Sequence, residues 1–192
     1  GKAYKVNGYM QGNKLTFWLD FDQHNIPWDV FNEGTELVLY RSTDFDQNLM
    51  AGFHTQKDGR TFTSYARKEG FLPSGQPTSA SLSSEDAYIG TWQLAVGGET
   101  KGTLQLSQTT TGSGTIKQGI YTEEGTSEQY DVTWDLKDNA DTHSNIELRV
   151  IFSIGNYYDL YGKHMSWEDG LVTGYATMGS SGMSNQPFYM IR

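Results

Sequence analysis

The chain has no cysteine, only four prolines in 192 residues, and no long uninterrupted apolar run. Each absence removes a class of explanation. Without thiols there is no cysteine nucleophile, no thiolate metal site and no disulfide framework, so stability must come from a packed core. No apolar stretch approaches the roughly 20 residues a membrane-spanning helix needs. Basic residues are also scarce, 14 Lys and Arg against 23 Asp and Glu, for a net charge of −9. That balance disfavours a phosphate backbone, which selects clustered positive charge, and it disfavours anionic lipid surfaces. Neither nucleic acid nor membrane is therefore an expected partner. The chain opens on Gly1-Lys2-Ala3-Tyr4 rather than on Met or a signal peptide, as expected of a processed product. A cysteine-free chain of this size is ordinary in a bacterial periplasm or cytoplasm and does not fix the compartment; the setting expected is bacterial, periplasmic or secreted.

Helical signals are scarce too. Few segments repeat apolar residues at helical spacing, and 22 glycines punctuate the chain. Short alternating stretches bounded by Gly, Asn and Asp dominate instead, the pattern of antiparallel strands joined by tight turns. In Leu15-Thr16-Phe17-Trp18-Leu19-Asp20-Phe21 the odd positions form an apolar face, and in Ile146 to Phe152 the even positions do. Such alternation sets one face against a core and the other towards solvent. With 36% hydrophobic and 14% aromatic residues, the material for such a core is present.

Residues 70–87 show no sustained alternation and carry two of the prolines and a Ser/Thr cluster, which marks a linker. Residues 1–69 and 88–192 flank it, and their order of segments corresponds. Tyr4-Lys5-Val6 parallels Tyr130-Asp131-Val132, and Leu15–Phe21 parallels Ile146–Phe152. Leu39-Tyr40 parallels Leu160-Tyr161, and Leu49–Thr55 parallels Leu171–Thr177. Tyr65-Ala66-Arg67 parallels Met190-Ile191-Arg192. Ahead of Tyr130 the second unit adds about three strands, within 88–96, 103–107 and 114–122. The expected fold is all-β: an antiparallel up-and-down barrel of eight strands, plus a related partial barrel or sheet of about five. An open sheet leaves edges and an apolar face uncovered, so that face is expected to pack on the second unit or on a second copy of the chain.

The second unit begins Gly90-Thr91-Trp92 and ends on Arg192. It resembles the calycin superfamily of lipocalins, fatty-acid-binding proteins and avidins, most nearly the avidins. The resemblance implies that the indole of Trp92 plugs one barrel end beneath the terminal guanidinium. Avidins follow the Trp with a polar residue, usually Asn, that helps hold biotin. Here Gln93-Leu94-Ala95 follows, so the resemblance implies a fold and not biotin binding.

Polar clusters select no chemistry. Asp20, Asp22 and His24 share one face by alternation, as a cation site would require, but they are read as a solvated strand end running into the Ile26-Pro27-Trp28 loop. Asp135, Asp138, Asp141 and His143 read as a polar hairpin loop without the EF-hand spacing. Gly112-Ser113-Gly114 reads as a hairpin turn. The histidines lack a nucleophile elbow, and no carboxylate pair stands out. No cofactor motif is present, no metal ligand set is assigned, and no catalytic residue is selected. The aromatics are the strongest lead, with 5 Trp, 12 Tyr and 9 Phe. Most belong to the core. Trp18 lies on the polar face of its strand, and Trp28, Tyr157, Tyr158 and Trp167 fall in or near loops, where rings are free to contact a ligand. The function expected is a non-catalytic binding module holding a small molecule, a glycan or a protein at the barrel mouth or on these aromatics. The alternative is a structural or interaction domain of a larger secreted or surface protein.

Overall fold

A computed structural model of the chain describes residues 5–11, 14–20, 37–41, 49–55, 61–67, 84–97, 100–139, 144–164, 170–179 and 186–192. The fold is all-β, as the alternation requires. Strands β1 (Lys5–Gln11), β2 (Lys14–Asp20), β3 (Leu37–Arg41), β4 (Leu49–Thr55) and β5 (Thr61–Arg67) form an antiparallel sheet in chain order. A short 3-10 turn, Glu85–Ala87, leads into β6 (Gly90–Val96), β7 (Thr100–Thr111) and β8 (Gly114–Glu123). Then follow β9 (Gln129–Asn139), β10 (Ser144–Ser153), β11 (Asn156–His164), β12 (Leu171–Met178) and β13 (Gln186–Ile191). Strands β6 to β13 pair consecutively, and β13 pairs back on β6, which closes an eight-stranded barrel without a free edge. Residues 70–83 of the expected linker lie outside the described residues, while Ser84–Ala87 already belong to the barrel's end.

Alternation fills the barrel. Ile146, Leu148 and Val150 of β10 are buried, and so are Trp92, Leu94 and Val96 of β6 and Leu104 and Leu106 of β7. Phe188 reaches across to β11 and β12 because Gly162 and Gly174 face it; a Cβ at either would meet its ring within 3.0 Å. The outer wall follows a different rule on one side. Strand β12 is buried at Leu171 through Ala176 and β13 at Pro187 through Met190. Leu171, Thr173, Tyr175 and Tyr189 alternate with core positions and so belong to the outer wall. What covers them is the sheet, whose β4 contacts both strands, with β5 on β12 and β3 on β13. The first unit thus packs on the second; of the apolar face expected to make that contact, Leu15 is half-buried, and the burial of Phe17, Leu19, Phe21, Leu37 and Leu39 lies outside what is described. On β2, Thr16 of the face read as polar is only 1% exposed, so that face is covered at this point, against the expectation from alternation.

The rows of the two ladders can be set side by side. In the sheet one row runs Met10, Leu15, Leu39, Gly52, Ser64. In the barrel the row Leu136, Ile146, Gly162, Gly174, Phe188 crosses β9 to β13 in the same order. Leu15 with Ile146 and Gly52 with Gly174 fall where the sequence comparison placed them. Leu39 stands at the place of Gly162 rather than Leu160, and Arg67 at that of Ile191 rather than Arg192.

Candidate ligand site at the barrel mouth

One barrel end is sealed. Tyr88, after the 3-10 turn, lies 6.4 Å from Trp92 and 6.5 Å from Trp134, ring to ring, and all three are buried. The Trp92 Nε1 proton goes to the Tyr88 carbonyl at 2.8 Å, and Trp134 donates to the carbonyls of Ser107 and Gln118. Each indole carries a cation. The Arg192 guanidinium sits 4.7 Å over Trp92, as the calycin resemblance implies, and the Lys117 ammonium lies 5.9 Å over Trp134. Lys117 is tied to Asp135 and Glu85, hydrogen bonds that raise its pKa, so the turn is held to the barrel by charge as well as by packing. Asp135 and Asp138 therefore lie on β9, not in a loop as the sequence suggested, because the strand runs on to Asn139. Asp141 and His143, like Asp22 and His24, lie outside the described residues. Among the described residues no His, Asp or Glu group is arranged to hold a metal.

The opposite end is built from rings. Tyr121 of β8, Tyr130 of β9, Phe152 of β10 and Tyr158 of β11 project inward from four adjacent strands and touch in sequence. Tyr121 and Tyr130 stack at 6.2 Å; Tyr130 and Phe152, then Phe152 and Tyr158, meet edge to face at 4.8 and 5.2 Å. Tyr130, Phe152 and Tyr158 are half-buried, whereas Tyr121 beneath them is 1% exposed. Gly102 makes room for it: a Cβ there would lie 2.6 Å from the Tyr121 ring. Among the described residues the Tyr121 hydroxyl has no hydrogen-bond partner. Burial first, then the negative charge of Glu123, pushes its pKa far up, so it stays protonated. Glu123 shares its face of β8 two residues on, and in the adjoining hairpin Glu128 accepts a hydrogen bond from the Tyr130 hydroxyl, which raises the Tyr130 pKa to about 12. Tyr88 also keeps an unpaired hydroxyl, its pKa raised by burial to about 12, but it is fully buried at the sealed end.

Of the five residues singled out from sequence, Tyr158 enters this mouth. Tyr157, its neighbour on β11, faces outward beneath the Arg149 guanidinium at 4.2 Å. Arg149 is held there by two bonds to Asp159, at 2.6 and 2.9 Å, so this cluster on the outer wall is self-satisfied. Trp18 lies on β2, opposite Asn7 in the ladder, and Trp28 and Trp167 lie outside the described residues. Sequence reasoning missed Tyr121, Tyr130, Phe152, Glu123 and Glu128 because aromatics inside strands were assigned to the core. The available signal was a Tyr, not a Phe, at an inward position with a Glu two residues later on the same face.

The barrel's outer wall carries a second feature. A cleft of about 610 Å³ crosses β7 to β10, and its rim includes Ile116, Ile120 and Ile151, which are 52%, 37% and 37% exposed. In strand order β8 and β9 stand opposite β12 and β13, so this wall faces away from the sheet. Comparison with protein-family models, with curated proteins and with solved structures finds no match to this chain.

Proposed function

We propose that this chain is a non-catalytic binding module that holds a small ligand at the open end of its barrel. The observation that carries this reading is the Tyr121 hydroxyl, buried under half-exposed rings without a partner. A buried polar group left unpaired costs about 1–3 kcal/mol, and native proteins keep few of them. A ligand hydroxyl or amine supplies the missing bond, and the surrounding rings supply apolar contact. The reading also takes the barrel as calycin-like, supported by Arg192 over Trp92, and the sheet as a diverged copy of β9–β13, supported by the shared ladder rows.

A titration followed by NMR tests it. Small molecules, charged and neutral, should shift the ring resonances of Tyr121, Tyr130, Phe152 and Tyr158 in a saturable way. Tyr121→Phe should weaken such a ligand about tenfold, the equivalent of one hydrogen bond. Shifts confined to Ile116, Ile120 and Ile151 would overturn the reading.

That outcome belongs to a second reading, an interaction domain that docks a protein on its outer wall. The barrel's filled interior and the exposed isoleucines favour it. A homodimer is the remaining partner in this scheme, formed along the outer strands β1 and β5 of the open sheet.

A further inference from the structure

We infer that the mouth selects a compact organic cation, an ammonium group on a short chain bearing one hydroxyl or amine. The inference rests on the binding reading above and specifies its ligand. Three features of the mouth converge on it.

Ring faces come first. Tyr130 against Phe152 and Phe152 against Tyr158 are turned by 69° and 87°, so each ring's edge meets its neighbour. Rings used this way leave no flat open platform of the size a sugar stacks on. They do present short stretches of negative π-face at this end of the barrel, which attract a cation.

Charge comes second. Glu123 and Glu128 flank the rings, and among the described residues neither takes part in a salt bridge. Carboxylates outside any ion pair, beside half-buried aromatic rings, favour a positive guest and reject an anion. The hydrogen bond from Tyr130 to Glu128 adds to this by placing electron density on the ring that borders Tyr121.

The third feature is the Tyr121 hydroxyl. It is both a donor and an acceptor, and it lies beneath Tyr130 on the face that also bears Glu123. A guest with its ammonium between the rings and its hydroxyl or N–H towards Tyr121 satisfies both requirements at once. A simple alkyl cation satisfies only the first.

The test uses the full chain and three probes followed by calorimetry and by NMR of the tyrosine rings: choline, its neutral isostere 3,3-dimethylbutan-1-ol, and glucose. Choline should bind at least about tenfold more tightly than the isostere, the ratio expected for a desolvated cation–π site. Glu128→Gln and Glu123→Gln should each weaken choline several-fold and leave the isostere unchanged, and circular dichroism of both variants should match the parent. Equal or tighter binding of the isostere or of glucose at these rings would overturn the cation inference while leaving a binding module. No saturable shift with any of the three probes would overturn both.

Discussion

Replacing Tyr121 by Phe removes one oxygen atom and should make the unliganded protein more stable. The ordinary expectation is the reverse, because deleting a hydroxyl usually deletes a hydrogen bond worth about 0.5–1.5 kcal/mol. Here the hydroxyl is buried, 1% of the residue being exposed, and has no partner. In the unfolded chain it is hydrated, so folding strips water from it without compensation. That desolvation costs about 1–3 kcal/mol and vanishes in the variant. The ring itself is unchanged, still seated against Gly102 and stacked on Tyr130. For a chain of this size each kcal/mol moves Tm by about 2–4 °C, so the predicted rise is well within thermal or urea denaturation.

Two controls make the result specific. Tyr130→Phe loses a real bond to Glu128 and should be neutral or destabilised. Tyr88→Phe removes a second orphaned tyrosine hydroxyl and should also stabilise, by a similar amount. The two stabilised variants then part on function: Tyr121→Phe should lose ligand affinity and Tyr88→Phe, sealed at the other end, should keep it. A Tyr121→Phe protein that is neutral or less stable would mean that an ordered water or a protein group satisfies the hydroxyl. In that case the hydroxyl gives no reason to expect a ligand at the mouth.

Other expectations follow from the same geometry. Trp92→Ala should cost about 3–5 kcal/mol as a large buried ring is lost, whereas Arg192→Ala should cost only about 0.5–1 kcal/mol, both measured by urea unfolding. Gly102→Ala should be strongly destabilising and should shift the Tyr121 ring resonances, because the new Cβ meets the Thr122 carbonyl at 2.2 Å and that ring at 2.6 Å. Tyr88 has its folded pKa raised to about 12 and Tyr121 is also raised, so folding favours their protonated forms. The stability this lends is fully present below about pH 10, the value in the unfolded chain, and is lost as pH climbs towards 12. The urea midpoint should fall over that window, and less steeply in the Tyr88→Phe, Tyr121→Phe double variant. Finally, Tyr189→Glu places a charge under the sheet; amide exchange in β4 and β5 should accelerate while β7 to β10 keep their protection.

Much of this fold was legible because a strand's period of two writes its faces into the sequence. Ile146 to Phe152 alternate, and of the even positions Ile146, Leu148 and Val150 are buried and Phe152 half-buried, while Ile151 on the other face is exposed. The parallel drawn between Leu15 and Ile146 rested on the same period, and Leu15 shares a ladder row with Gly52 as Ile146 does with Gly174. Where the period was missing the comparison slipped. Tyr65-Ala66-Arg67 was matched to Met190-Ile191-Arg192 by its final arginine, and the ladder shifts this by one residue, which exchanges the faces. Strand β12 carried a signal of its own. Leu171-Val172-Thr173-Gly174-Tyr175-Ala176 is apolar or small at nearly every position, the mark of a strand covered on both sides, and it lies between the barrel core and the sheet.

The candidate site was less legible because alternation reports which way a side chain points and not how deep along the strand it lies. Tyr121, Tyr130, Phe152 and Tyr158 obey the same rule as Leu104 or Val150, and in sequence they are core. Depth is set by the stagger of eight strands around the barrel, a property of the closed ladder that no single segment contains. Only closure puts these rings at one rim and Tyr88, Trp92 and Trp134 at the other. The loops, where ligand-contacting rings were sought, supplied instead a carboxylate, Glu128, that polarises a ring belonging to a strand. What distinguishes the two rims chemically is how their charge is spent. At the sealed end the cations Arg192 and Lys117 already lie over indole rings, and Lys117 is neutralised by Glu85 and Asp135. At the other end the rings lie beside Glu123 and Glu128, and among the described residues neither carboxylate is in an ion pair.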